Sequence, residues 1–172
     1  MKRRLDLERF APAGYNMPME LKYFAGGLIV SFSCSLNYVF RFFNARRSLY
    51  YYLRTTGEWV LREGAVMEDF TVLLGGNLRM FPLLALCMAL TAALHYAYHR
   101  RGSRSDYLMR RLPDRWEMHR RCLTVPVCTA LISLIAGFAL LLIYYGLYML
   151  ATPGQCLTPG QWARIWTMGV RA

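Results

Sequence analysis

Three long apolar runs, Tyr23 to Phe40, Met80 to Tyr98 and Leu123 to Leu150, constrain this chain more than any other feature. A helix rises about 1.5 Å per residue and must cross about 30 Å of hydrocarbon, so runs of this size are read as membrane spans. Only residues 99–122 separate the second run from the third, too few for a soluble domain, and that segment is therefore held at a membrane surface. A chain that is 56% hydrophobic yet carries a net charge of +11 has its two properties segregated along its length, which excludes a single soluble globule. The expected fold is all-α: a multi-pass helical bundle in the cell membrane, with residues 1–172 forming one membrane domain. Its expected parts are a surface segment over 1–22, spans over 23–40, 80–98 and 123–150, a loop with an interfacial helix over 41–79, a basic cytoplasmic loop over 99–122 and a tail over 151–172.

The first run is the weakest, because Ser31, Ser33, Ser35 and Asn37 interrupt it and Arg41 ends it. A polar partner inside the membrane is expected for it. Residues 1–22 carry Leu5, Leu7 and Phe10 among charges and are broken by Pro12, Gly14 and Pro18, a pattern suited to the headgroup region. Lys2, Arg3 and Arg4 resemble the start of a secretory signal, but no apolar region follows until residue 23, so an uncleaved membrane anchor is expected.

Lys and Arg in short loops are retained on the cytoplasmic side. With three spans, the amino terminus and the segment 99–122 share one side. That side carries Lys2, Arg3, Arg4, Arg9 and Lys22 together with Arg100, Arg101, Arg104, Arg110, Arg111, Arg115, Arg120 and Arg121. The other side carries Arg41, Arg46, Arg47, Arg54, Arg62, Arg79, Arg164 and Arg171, fewer but not negligible. The balance places the amino terminus inside, and Arg41, Arg46 and Arg47, close behind the first span, argue against it.

Small residues recur at a spacing of four in each span: Gly27, Ser31 and Ser35 in the first, Ala85, Ala89, Ala93 and Ala97 in the second, Thr129, Ser133 and Gly137 in the third. On one helix face such residues permit close approach, so a packed bundle or an oligomer is expected. Tyr50, Tyr51 and Tyr52 with Trp59 suit an interfacial aromatic belt. Glu68 and Asp69, before the apolar Phe70 to Leu74, read as a helix start or a polar gate. The tail repeats Thr-Pro-Gly-Gln at 152–155 and 158–161, where Pro and Gly stop the third helix and form turns, and Trp162 and Trp166 are spaced to anchor a short interfacial helix.

Catalytic chemistry is hard to assemble. His95 and His99 share one helix face, one requirement of a metal pair, but no acidic or cysteine ligand is near in sequence, so an interfacial role is expected. Cys34, Cys87, Cys122, Cys128 and Cys156 form no Cys-x-x-Cys pair and read as apolar fillers and a free thiol. Neither Gly26-Gly27 nor Gly75-Gly76 continues into a phosphate loop, so the chain is not expected to hydrolyse ATP. No enzyme activity, no cofactor or metal and no nucleic-acid partner is expected. With no unpaired acid in the three runs, an amphipathic or peptide-like cargo is favoured over a small ion.

The segment 99–122 carries more than charge. Attraction to anionic lipid, at about 1 kcal/mol per basic residue, accounts for its arginines. Ser105 or Asp106 can cap a short helix bearing Tyr107, Leu108, Met109 and Leu112, Pro113 breaks it, and Asp114 can cap a second turn with Trp116. Tyr107, Leu112 and Trp116 are then available to fill a pocket on a partner, since aromatic and arginine anchors are enriched at interface hot spots.

The stretch from Ser103 to Pro126, with its approach HYAYHRRG, the MEDF of Met67 to Phe70 and the LTPGQW of Leu157 to Trp162, resembles small permease-like membrane proteins that accompany ABC-type exporters in Gram-positive bacteria. The resemblance implies an amphipathic amino-terminal helix before the first span. It also implies a coupling helix between the second and third spans that docks on a separate ATPase subunit, here Tyr107, Leu108, Met109, Leu112 and Trp116. Such permeases typically have six spans, so pairing with a second copy or a longer permease is implied. The alternative is a non-transporting scaffold or regulator that binds anionic lipid or a cytoplasmic partner through the same segment.

Overall fold

The computed structural model describes residues 17–55, 57–101 and 115–167, with side chains described over 17–55, 57–97, 119–120 and 122–166. The described chain is mostly helical. Helix α1 covers Met17–Ser48, strands β1 and β2 cover Tyr50–Leu53 and Glu58–Leu61, and α2 covers Phe70–Leu74. Helix α3 covers Met80–Arg101, α4 covers Arg115–Ala151, a 3₁₀ turn follows at Gly154–Cys156, and α5 covers Gln161–Thr167. Met17–Ser48, Met80–Ala97 and Cys122–Ala151 are long and apolar enough to cross a membrane.

All three long helices overrun the apolar runs that announce them. Helix α1 is described from Met17, six residues before Tyr23, and includes Pro18. At the other end Arg41 does not stop α1, which continues to Ser48. The expected loop over 99–122 is likewise shorter, since 99–101 belong to α3 and 115–122 to α4.

The loop over 41–79 also holds the only strands among the described residues. Tyr50 to Leu53 pair antiparallel with Glu58 to Leu61, and Tyr52 faces Trp59 with ring centroids 5.6 Å apart. Aromatic and β-branched side chains favour this pleated surface, and Gly57 supplies the positive φ (+71°) that the turn needs. The aromatic residues expected as a belt are thus carried on a hairpin. Residues 70–78, which composition allows as an interfacial helix or an extension leading into the second span, form α2 only as far as Leu74; Gly75 (φ +50°) ends it.

Contacts group the chain into two compact units. The first comprises, among the described residues, 17–31, 80–101 and 115–137. Its helices meet where side chains are small: a Cβ on Gly137 would lie 2.9 Å from the Cβ of Phe81, and one on Gly27 would lie 2.6 Å from Leu84 Cδ1. The Ser133 hydroxyl donates to the Phe81 carbonyl (2.8 Å). Met17, Glu20, Phe24 and Ser31 are the buried positions of α1 here, Phe81, Ala85, Met88 and His95 those of α3, and Cys122, Pro126, Thr129 and Ser133 those of α4.

The second unit comprises 32–55, 57–79 and 138–167 among the described residues. Its core is aromatic: Tyr38 and Tyr144 stack at 4.5 Å, and Phe70 meets Tyr145 and Tyr148 edge to face. Their hydroxyls find partners, as buried tyrosines require. Tyr38 donates to the Tyr144 carbonyl (3.2 Å), Tyr148 to the Glu68 carbonyl (3.0 Å), and Ser35 shares a hydrogen bond with the Tyr144 hydroxyl (3.0 Å).

Candidate functional site

The side chains with most chemistry lie at the helix ends that flank the basic segment, in the first unit. The starting point is Pro126, buried inside α4. A proline in a helix interior has no N–H to offer the carbonyl four residues earlier, here that of Cys122. His95 supplies the missing donor: its Nδ1 lies 3.1 Å from the Cys122 oxygen. A carbonyl only accepts, so this bond places a proton on Nδ1.

The other ring nitrogen, Nε2, lies 3.2 Å from Glu20 Oε2, and both side chains are almost wholly buried. The two groups are within ion-pair distance, and pairing is what makes burial of such side chains among apolar helices tolerable. The second carboxyl oxygen faces Thr91, whose hydroxyl is shared between Glu20 Oε1 (3.2 Å) and the Met88 carbonyl (2.6 Å). One polar cluster thus joins α1, α3 and α4. Near it, the Tyr96 hydroxyl and His119 Nδ1 are 2.8 Å apart, a second link between α3 and α4.

His95, expected at the interface, is a buried bridge between helices, reaching the carbonyl that Pro126 leaves without its usual donor. Glu20 lies within a membrane-length helix, where it is paired with His95. Among the described residues no group of three His, Cys, Asp or Glu side chains is arranged to hold a metal.

The remaining sequence-derived residues fall as follows. Tyr107, Leu108, Met109, Leu112, Arg104, Arg110 and Arg111 lie outside the described residues. Arg100 and Arg101 end α3, while Arg115, Trp116, Arg120 and Arg121 lie in the first turns of α4. Of the small-residue stripes, Ser31, Ser35, Ala85, Thr129 and Ser133 are buried, and Gly27 and Gly137 are at close approaches. Ala89, Ala93 and Ala97 are exposed and do not share the face of Ala85.

A second polar cluster, in the second unit, joins two segments far apart in sequence. Asp69 precedes α2 but does not cap it; Gln161 does, its Oε1 accepting from the Phe70 N–H (3.0 Å). The Asp69 carboxylate instead accepts from Gln161 Nε2 and Thr158 Oγ1, both at 2.9 Å, and pairs with Arg164. The Gln161 hydrogen bond, with those from Thr158 and Arg164, holds the Asp69 carboxyl below the ordinary carboxylate range against the opposing effect of desolvation. The second Thr-Pro-Gly-Gln copy is therefore a clasp on Asp69. The first copy has a different fate, with Thr152 buried and Gly154 opening the 3₁₀ turn that ends at Cys156.

These features define a mostly helical protein with three helices long and apolar enough to cross a membrane, tied by a buried carboxylate–imidazole cluster. Comparison with protein families, with curated proteins and with solved structures finds no match to this chain.

Proposed function

We propose that the chain is a permease-type membrane subunit of an ABC exporter, coupled to a separate ATP-hydrolysing subunit through residues 99–122. The observation that supports this reading is the helical continuity at both borders of that segment: α3 runs to Arg101 and α4 starts at Arg115. The two are tied by the His95–Cys122 and Tyr96–His119 bonds. A partner that pulls on the segment between them moves α3 and α4 together as rigid bodies, a common way for a local event to become a large one. Only 22%, 28% and 22% of the three apolar windows are buried within one chain, which leaves surface for a second copy or a longer permease as well as for lipid.

The test is a pull-down of the tagged full-length chain from its native membrane in mild detergent, with ATPase activity assayed on what co-purifies. An ATPase subunit retained by the unaltered chain and lost on the double change Leu112→Ala with Trp116→Ala, at unchanged thermal unfolding, is the expected result. An ATPase retained by the double variant overturns the docking assignment. Isolation of the chain with anionic lipid alone, released by salt, favours the scaffold reading instead.

A further inference from the structure

Arg46 and Arg47 stand where the orientation rule does not want them, one or two residues from the end of α1 and on the side opposite the basic segment. Favourable interaction with the carboxyl end of the helix dipole accounts for cations there but not for what surrounds them. The two arginines line a cavity of about 450 Å³ together with Phe43, Tyr50 and Trp59. Phe43 and Trp59 are both more than half exposed. Arg41, by contrast, lies against Gly75, its Nη1 2.9 Å from where a Cβ would sit. Among the described residues no carboxylate is within ion-pair distance of Arg46 or Arg47.

We propose that this cavity binds the phosphate of an anionic phospholipid, with Arg46 and Arg47 on the headgroup and Phe43 and Trp59 against the glycerol and upper acyl chain. The chemistry follows from the lining. Guanidinium groups are suited to phosphate oxygens, which they can bind through two parallel hydrogen bonds. A volume in this range suits a headgroup with part of its chains and exceeds what a bare ion needs. Trp and Tyr are the residues that settle at the headgroup level, and the cavity opens at the end of a membrane-length helix. The site also explains why these arginines are poor guides to topology: they serve a ligand. It stands independently of the exporter reading.

The test uses the full-length chain in detergent, with bound lipid counted by native mass spectrometry during titration with short-chain phosphatidylglycerol, short-chain phosphatidylcholine and glycerol phosphate. At about 1 kcal/mol per basic residue, replacing both arginines should weaken phosphatidylglycerol about thirty-fold and leave phosphatidylcholine nearly unchanged. Arg54→Ala, a charge removed from the exposed hairpin turn outside the cavity, should change neither. Trp59→Ala should weaken phosphatidylglycerol while both arginines remain, which keeps the proposal testable if the double variant folds poorly. Equal phosphatidylglycerol binding by the unaltered chain and by Arg46→Ala with Arg47→Ala overturns the site. Glycerol phosphate binding as tightly as the lipid overturns the lipid as its source, and an effect of Arg54→Ala as large as that of the pair reduces it to general surface charge.

Discussion

Replacing His95 with alanine removes two interactions at once, and the structure says how to restore each separately. The first loss leaves the Glu20 carboxyl buried without the ring 3.2 Å away. Breaking a buried pair by removing one partner costs about 3–5 kcal/mol. The second loss orphans the Cys122 carbonyl, a term of about 1 kcal/mol on the scale of interhelical hydrogen bonds in membranes. His95→Ala should therefore destabilise the chain by about 4 kcal/mol or more. Adding Glu20→Leu should recover most of the first term, since an apolar replacement of both members leaves no buried charge. Adding Pro126→Ala should recover the second, because an alanine in the proline's place brings the N–H that the Cys122 carbonyl lacks. The assay is equilibrium unfolding of the full chain in detergent micelles, read as a double-mutant cycle for each pair. Additivity within about 0.5 kcal/mol in the Glu20–His95 cycle would refute the coupling, and Pro126→Ala destabilising the His95→Ala background would refute the role assigned to the proline.

Two further tests probe the packing and the clasp. Gly137→Ala should destabilise by about 1–3 kcal/mol, because its Cβ would meet the Phe81 Cβ, close to rigid backbone, whereas Gly27→Ala should be milder, because its clash is with the flexible end of Leu84; the two are compared by thermal unfolding. Asp69 contributes stability that is fully present above the ordinary carboxylate pKa and is lost as pH falls through its depressed folded value, so acid titration of unfolding should show a slope that Asp69→Asn abolishes while the neutral-pH helical content persists.

The three apolar runs made the long helices legible, because a run of that length has few other uses. Their ends were not legible, since charged residues such as Arg41 continue a helix once it has left the apolar layer. The hairpin was obscured because Tyr50–Tyr52 is a continuous aromatic run without alternation, and a run so short does not reveal its period. Gly57 before a second aromatic and β-branched run was the available sign. The alanine stripe misled for a geometric reason: each step of four residues turns about 400°, so Ala85 and Ala97 end roughly 120° apart on the helix. The buried positions Phe81, Ala85, Met88 and His95 are spaced four, three and seven residues apart and stay on one face. Glu20 and His95 are distant in sequence, and only Pro126, four residues after Cys122, hinted that a carbonyl in the third run would look outside its own helix for a donor. The clasp was half visible: both Asp69 and the repeated Thr-Pro-Gly-Gln stood out, but nothing in either told that one holds the other.

The buried positions of α1, from Met17 through Glu20, Phe24, Ser31, Ser35 and Tyr38 to Phe42, form one seam with the same kind of spacing. The seam removes a degree of freedom. Turning α1 about its own axis by a single residue, about 100°, would expose the Glu20 carboxyl and two serine hydroxyls to hydrocarbon together. An acidic side chain alone is costly there, by about 2.5–3.5 kcal/mol at mid-membrane on the insertion scale for aspartate. The first helix is held against turning about its own axis.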